Sequence, residues 1–277
     1  MCKVIATDLD GTLFYPKAIK NMICKKSLKF LRTHIDNGGK IVLVTGRNTD
    51  YLHRVAQKIE RAVDMVGCNG SILIGGGEVL ENHQFNVPQV KLALEEIGEK
   101  FQPKGFFIMT KDNKFIVRDE FTSKLYKFCY AIWNKAQGIY REPFYVNKED
   151  FNEAVDSGNV AKIMIFFGIG RKARNAAKEA NKIFRETYGD TFEASWSGEF
   201  IELSPKGCSK SNALKSYCNY FNINHSDIYV VGDSGNDISM FNEFPETSFC
   251  MKHAPLSVSK YAKHTIRRFH KLEKFID

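Results

Sequence analysis

Val4-Ile5-Ala6-Thr7-Asp8-Leu9-Asp10-Gly11-Thr12 is the stretch on which the reading of this chain turns. A short β-rich apolar run passes directly into two carboxylates at i and i+2, which leave a strand on the same side. Two later runs end in the same manner. Ile41 to Val44 runs into Thr45-Gly46-Arg47, and Ile228 to Val231 runs into Gly232-Asp233-Ser234-Gly235-Asn236-Asp237. Taken singly, each polar cluster has an ordinary structural use as a helix cap or a turn. Three of them following β-rich runs have another meaning, because open parallel sheets bind ligands beyond the carboxyl ends of their strands.

Working outward, strand-like and helix-like segments alternate. Val4 to Asp8, Lys40 to Thr45 and Asp64 to Cys68 read as strands, with helical patterns over Ala18 to Asp36 and Asp50 to Arg61 between them. This alternation predicts a parallel sheet wrapped by helices. After a hairpin broken by Gly75-Gly76-Gly77 the pattern changes. A helix over Gln89 to Lys100 leads to strands Phe106 to Lys111 and Lys114 to Asp119 about an Asp112-Asn113 turn. An aromatic-rich helix over Thr122 to Gln137, a strand over Lys162 to Phe167, a basic helix over Lys172 to Tyr188 and a strand over Thr191 to Trp196 follow. The first pattern resumes near Glu199 with a strand from Phe200, a helix over Lys210 to Phe221 and a strand over Asp227 to Val231. The fold class is therefore α/β. A Rossmann-like core of residues 1–85 and 198–277 is expected to carry an inserted α/β domain at 86–197.

Carboxylates converging on one place repel one another unless a hard cation lies among them, and Mg²⁺ takes carboxylates, waters and phosphate oxygens. Hydroxyl, amide and ammonium donors nearby suit a phosphoryl group. On Asp-Leu-Asp-Gly-Thr-Leu at 8–13 and Gly-Asp-Ser-Gly-Asn-Asp-Ile-Ser-Met at 232–240, the chain resembles the haloacid dehalogenase (HAD) superfamily. Its layout is similar to the Cof-type branch with an inserted C2-type α/β cap.

The resemblance implies a phosphatase acting on small phosphomonoesters through an aspartyl-phosphate. Asp8 would be the nucleophile and Asp10 the general acid and base. Asp8, the Asp10 backbone carbonyl, Asp233 and Asp237 would hold Mg²⁺. Leu9, Thr45, Gly46, Asn236 and Lys210 would bind phosphate, with Lys206 the second choice for the phosphate-binding lysine. Arg47 and Asn69 are further candidates for substrate contact, and Trp196 with the cap tyrosines for a pocket lining. Three departures stand out: Ser211 where the family has glycine, Lys252-His253-Ala254 in place of Gly-Asn-Ala, and Thr265 to His270 in place of a closing Asp-Gly-Val-Ala. A phosphomutase of the same superfamily, and a metabolite sensor or nucleic-acid binder on this scaffold, are the alternative readings.

Bulk properties narrow the class. The 277 residues are 43% hydrophobic and 26% charged, as in ordinary globular proteins. No apolar run approaches the roughly 20 residues that span a bilayer, and Met1-Cys2-Lys3 does not open a signal peptide. Seven scattered cysteines without Cys-x-x-Cys pairs fit reduced thiols, and hence a cytoplasmic setting. The net charge is +8, much of it from residues 252–277, read as a solvated basic face. No RNA- or DNA-binding motif accompanies it, so neither nucleic acid nor membrane is an expected partner, and oligomeric state is left open. His34, His53 and His83 read as ordinary surface or helix residues.

Overall fold

Two sheets organise the chain, each within its own compact unit. The structure, a computed structural model, describes residues 2–16, 22–118, 144–197 and 199–276. The first unit is built on β1 (Val4–Thr7), β2 (Lys40–Val44), β3 (Asp64–Gly67), β4 (Ile72–Gly75), β5 (Glu78–Asn82), β12 (Ile228–Gly232), β13 (Ser248–Met251) and β14 (His264–Ile266). Their order across the sheet is β14-β13-β12-β1-β2-β3-β4-β5.

β1 lies between β12 and β2, parallel to both, with Ala6 level with Val230 on one side and Val42 on the other. A strand covered on both faces reads as a continuous apolar run, and all four residues of β1 are buried. Val4, Ala6, Val42, Val44, Val66 and Val230 pack with Leu214 and Tyr217 of the helix Lys210–Phe221 and with Phe241 and Phe244. Thr7 is level with Leu43 and with Val231, so the three polar clusters begin at neighbouring strand ends.

The basic tail keeps its lysines and arginines largely exposed, as expected of a solvated face, while the apolar residues between them join this core. β13 and β14 extend the sheet in parallel, and beyond them Phe269 and Leu272 are fully buried, Phe269 against Phe30 with ring centroids 5.8 Å apart. The lysines and arginines there alternate with apolar side chains that point inward.

The second unit has the sheet order β10-β11-β9-β6-β7-β8. Its strands are β6 (Gly105–Met109), β7 (Phe115–Val117), β8 (Phe144–Val146), β9 (Lys162–Phe166), β10 (Phe192–Ser197) and β11 (Phe200–Pro205). β6 and β7 form the expected hairpin, with Asn113 at φ 66° in its turn. Helices Val87–Phe101, Lys148–Asp156 and Arg171–Thr187 cover one face, burying Ile97, Phe151 and Phe184 against Ile108, Ile163 and Ile165.

β11 is the main difference from the expected layout. Its return to the core at 198 is not observed: the strand pairs antiparallel with β9 and β10, and the units divide between Cys208 and Ser209. The reason lies in its alternation. Ile201 and Leu203 enter the second core, while Glu202, on the other face, meets the buried Lys162 at 2.9 Å. The helix expected over 122–137 and the first turn of the one expected from Ala18 lie outside the described residues.

Candidate active site

The site is assembled in the first unit from loops that leave β1, β2 and β12. Asp8 continues β1, its amide donating to the Val231 carbonyl at 2.9 Å, so its backbone is still held as strand. The chain then turns at Gly11, whose φ is 87°. A Cβ there would lie 2.2 Å from Oδ2 of Asp233, so the close approach and the positive φ both require glycine. At Gly232 close approach alone excludes a side chain, because the Cγ of Asp237 would stand 2.4 Å from a Cβ.

Lys210 stands at the start of its helix, which Ser209 caps by accepting from the Asn212 amide at 3.1 Å. Its ammonium is buried between two carboxylates, 2.7 Å from Oδ1 of Asp8 and 2.7 Å from Oδ1 of Asp237. Lys206 lies in the second unit and donates to the Gly189 carbonyl, whereas Lys210 is the lysine that meets Asp8. Asp237 is completely buried and anchored: its Oδ2 accepts from the amides of Asp233 and Ser234, both at 2.9 Å.

Asp8, Asp233 and Asp237 bring carboxylate oxygens within 4.8 Å of one another. Three carboxylates face one ammonium, and the electrostatics reflect the imbalance. Burial pushes the Asp8 carboxyl well above the usual range; Lys210 works against this and Asp237 adds to it. Asp233 is likewise raised by burial, with the Thr12 hydroxyl opposing and Asp237 reinforcing. Burial disfavours the charge on Lys210, yet Asp237 and Asp8 hold its pKa above the ordinary lysine value. Oδ2 of Asp8 is buried with no hydrogen-bond partner. An unpaired, buried oxygen in a carboxylate cluster is what a hard divalent cation would engage, so these residues fit Mg²⁺.

Asp10 is placed differently. Its carboxylate is half-exposed and gripped by Arg47, Nε at 2.6 Å and Nη2 at 3.0 Å, and the Arg47 guanidinium rests 4.4 Å from the Tyr51 ring centroid. Thr45 is buried at the end of β2; its hydroxyl accepts from the Arg47 amide and its carbonyl from the Asn69 amide. Gly46 lies between them, and Leu9 is buried in the turn after Asp8. Asn236 donates to Oδ1 of Asn69 at 3.4 Å, so Asn69 joins the loops beyond β3 and β12. Trp196 is half-exposed on β10.

A family profile described as haloacid dehalogenase-like hydrolase matches residues 5–271. The chain belongs to that family. Among its relatives, the 5-amino-6-(5-phospho-D-ribitylamino)uracil phosphatase YbjI of Escherichia coli (strain K12) is 24% identical over 95% of this chain and 89% of its own length. The pyridoxal phosphate phosphatase YbhA of the same organism is 23% identical over 95% of this chain and 93% of its own. The solved structure of the HAD subclass IIB sugar phosphatase BT4131 superposes with a TM-score of 0.77 at 20% identity, covering 99% and 98% of the two chains. Within the HAD-like hydrolases the chain stands with the Cof-type phosphatases, which are phosphoric monoester hydrolases.

Two residues of this HAD-like hydrolase escaped the sequence reading. Thr12 donates its hydroxyl to Oδ1 of Asp233 at 2.9 Å, and His253 brings Nε2 to 3.4 Å from Oδ2 of the same carboxylate. Thr12 was within reach, since it sits in the quoted motif two residues after Asp10. His253 carried a signal only as a departure, histidine where the family has asparagine.

Proposed function

We propose that this chain is a Mg²⁺-dependent phosphatase of small phosphomonoesters, working through a phosphorylated Asp8. The observation that carries the reading is the state of the Asp8 carboxylate. One oxygen is fixed by Lys210, and the other is buried and unpaired beside Asp233 and Asp237.

In this reading Asp8, Asp233 and Asp237 hold the cation, together with the backbone carbonyl of Asp10. Bound there, Mg²⁺ neutralises carboxylate charge and the charge of the phosphoryl group. Lys210 opposes the protonation of Asp8 that burial favours and orients its carboxylate, and its buried charge favours anion binding. Asp8 attacks phosphorus, while Asp10 gives a proton to the leaving oxygen. Asp10, left as the carboxylate, then takes a proton from the water that attacks the acyl phosphate, which releases inorganic phosphate and restores the Asp8 carboxylate and the protonated Asp10. Thr45, the amides of Leu9 and Gly46, and Asn236 contribute donors for the phosphoryl oxygens, and Arg47 positions the Asp10 carboxylate. The named relatives act on phosphorylated metabolites, which supports a substrate of that size. No helix of the described residues is long and apolar enough to cross a membrane.

The test is phosphate release from a panel of sugar phosphates and phosphorylated cofactors. Turnover that needs Mg²⁺, stops with EDTA and disappears in Asp8→Asn supports the reading. Conversion of a sugar phosphate to its isomer without phosphate release would replace it with a mutase.

A further inference from the structure

Asp233 is walled in on three sides. Thr12 donates to Oδ1, the Gly11 backbone closes on the carboxylate, and Nε2 of His253 stands 3.4 Å from Oδ2. Gly11 and Thr12 belong to the Asp-Leu-Asp-Gly-Thr-Leu stretch, whereas His253 stands in the Lys-His-Ala segment that replaces the Gly-Asn-Ala of the resemblance. Its loop is pinned on both sides, because the Lys252 amide donates to the Ile266 carbonyl and the Ala254 amide to the Met251 carbonyl. Its ring is stacked on Tyr15, with centroids 3.9 Å apart and planes at 25°. Tyr15 in turn carries the Arg268 guanidinium 4.9 Å from its ring centroid. Loops from the ends of β1, β13 and β14 thus build one column, Arg268–Tyr15–His253, that ends on Asp233.

We infer that His253 is a positioning residue for the divalent cation: it fixes the Asp233 carboxylate in its ligating orientation, and Tyr15 holds the imidazole there. A carboxylate that binds a metal needs its orientation held by outer partners, and such partners govern affinity. The side chain of His253 is about a third exposed and contributes little to the core, so its contact with Asp233 is separable from folding. Tyr15 supplies a flat apolar face, and Arg268 closes the far side of that ring. This inference rests on the proposed cation site at Asp8, Asp233 and Asp237.

The experiment is titration of the full chain with Mn²⁺ alone, following free Mn²⁺ by electron paramagnetic resonance. The variants are His253→Ala, His253→Gln, Tyr15→Leu and Tyr15→Phe, and the melting of each metal-free protein is recorded beside the wild type. His253→Ala is expected to raise the Mn²⁺ Kd by roughly 10–100-fold. His253→Gln, whose amide nitrogen reaches the position of Nε2, keeps most of the affinity. Tyr15→Leu falls between the two, Tyr15→Phe matches wild type, and the metal-free melting points agree. Binding by His253→Ala as tight as wild type overturns the inference, as does equal loss in His253→Gln or a metal-free His253→Ala that melts well below wild type. A wild-type protein that binds no Mn²⁺ overturns it together with the cation site. Normal wild-type binding with an unaltered His253→Ala overturns the inference alone.

Discussion

Lys210 holds Asp8 by one oxygen only: Nζ is 2.7 Å from Oδ1, while Oδ2 is buried and unpartnered. The same ammonium reaches Asp237, so a single buried cation stands between two carboxylates. Removing one member of a buried ion pair leaves uncompensated charge and costs about 3–5 kcal/mol. Lys210→Met, of similar length and without charge, is expected to lose stability in that range in urea denaturation with EDTA. Its phosphate release should fall by about 10²–10³-fold, as when a preorganised donor is removed.

The raised carboxyls give the metal-free protein a definite pH dependence. Asp8 and Asp233 bind protons more tightly folded than unfolded, because burial and their neighbours disfavour the charged forms. Their contribution is therefore fully present below the ordinary carboxylate pKa and is lost as pH rises through the raised values. The slope is at most about 1.4 kcal/mol per pH unit for each group. Denaturation in EDTA followed from the ordinary carboxylate range upward in pH should show this decline, and Asp8→Asn or saturating Mg²⁺ should flatten it.

Arg47 and Asp10 are predicted to act as one unit. Asp10→Asn should lower kcat by about 10²–10⁴-fold, the range for a positioned acid or base. Arg47→Ala removes the two-pronged grip on that carboxylate and should cost less. In the double variant the Arg47 change should add little, because its effect passes through Asp10. Additive losses would assign Arg47 a direct role on substrate.

Gly11→Ala tests the turn. The φ of 87° alone should cost about 1–3 kcal/mol for an L-residue. The new methyl group would also displace the Asp233 carboxylate, so activity and Mn²⁺ affinity should fall further than stability does. Thermal melting and Mn²⁺ titration of the same preparation separate the two effects.

The core sheet and the polar residues at its strand ends were legible because both are local. A buried parallel strand is an unbroken apolar run, and the polar residues that follow it stand at its carboxyl end. Asp8, Thr45 and Asp233 could thus be placed from their neighbours in sequence, and Lys210 from its helix start. β11 was misassigned because alternation shows which side chains share a face and not which sheet receives them. Glu202 meets Lys162 only through the pairing with β9. β13 and β14 were missed because Ser248–Met251 and His264–Ile266 are only four and three residues long and each opens on a polar residue. The stack of His253 on Tyr15 joins loops from opposite ends of the chain, and no periodicity announces such a contact.

The central claim is the covalent step on Asp8, and rapid acid quench of a reacting wild-type sample tests it most directly. Peptide mass spectrometry should find one phosphoryl group on the peptide containing Asp8, at that residue, with none on Asp8→Asn. Steady turnover with no adduct at Asp8, or Asp8→Asn releasing phosphate at the wild-type rate, would contradict the account.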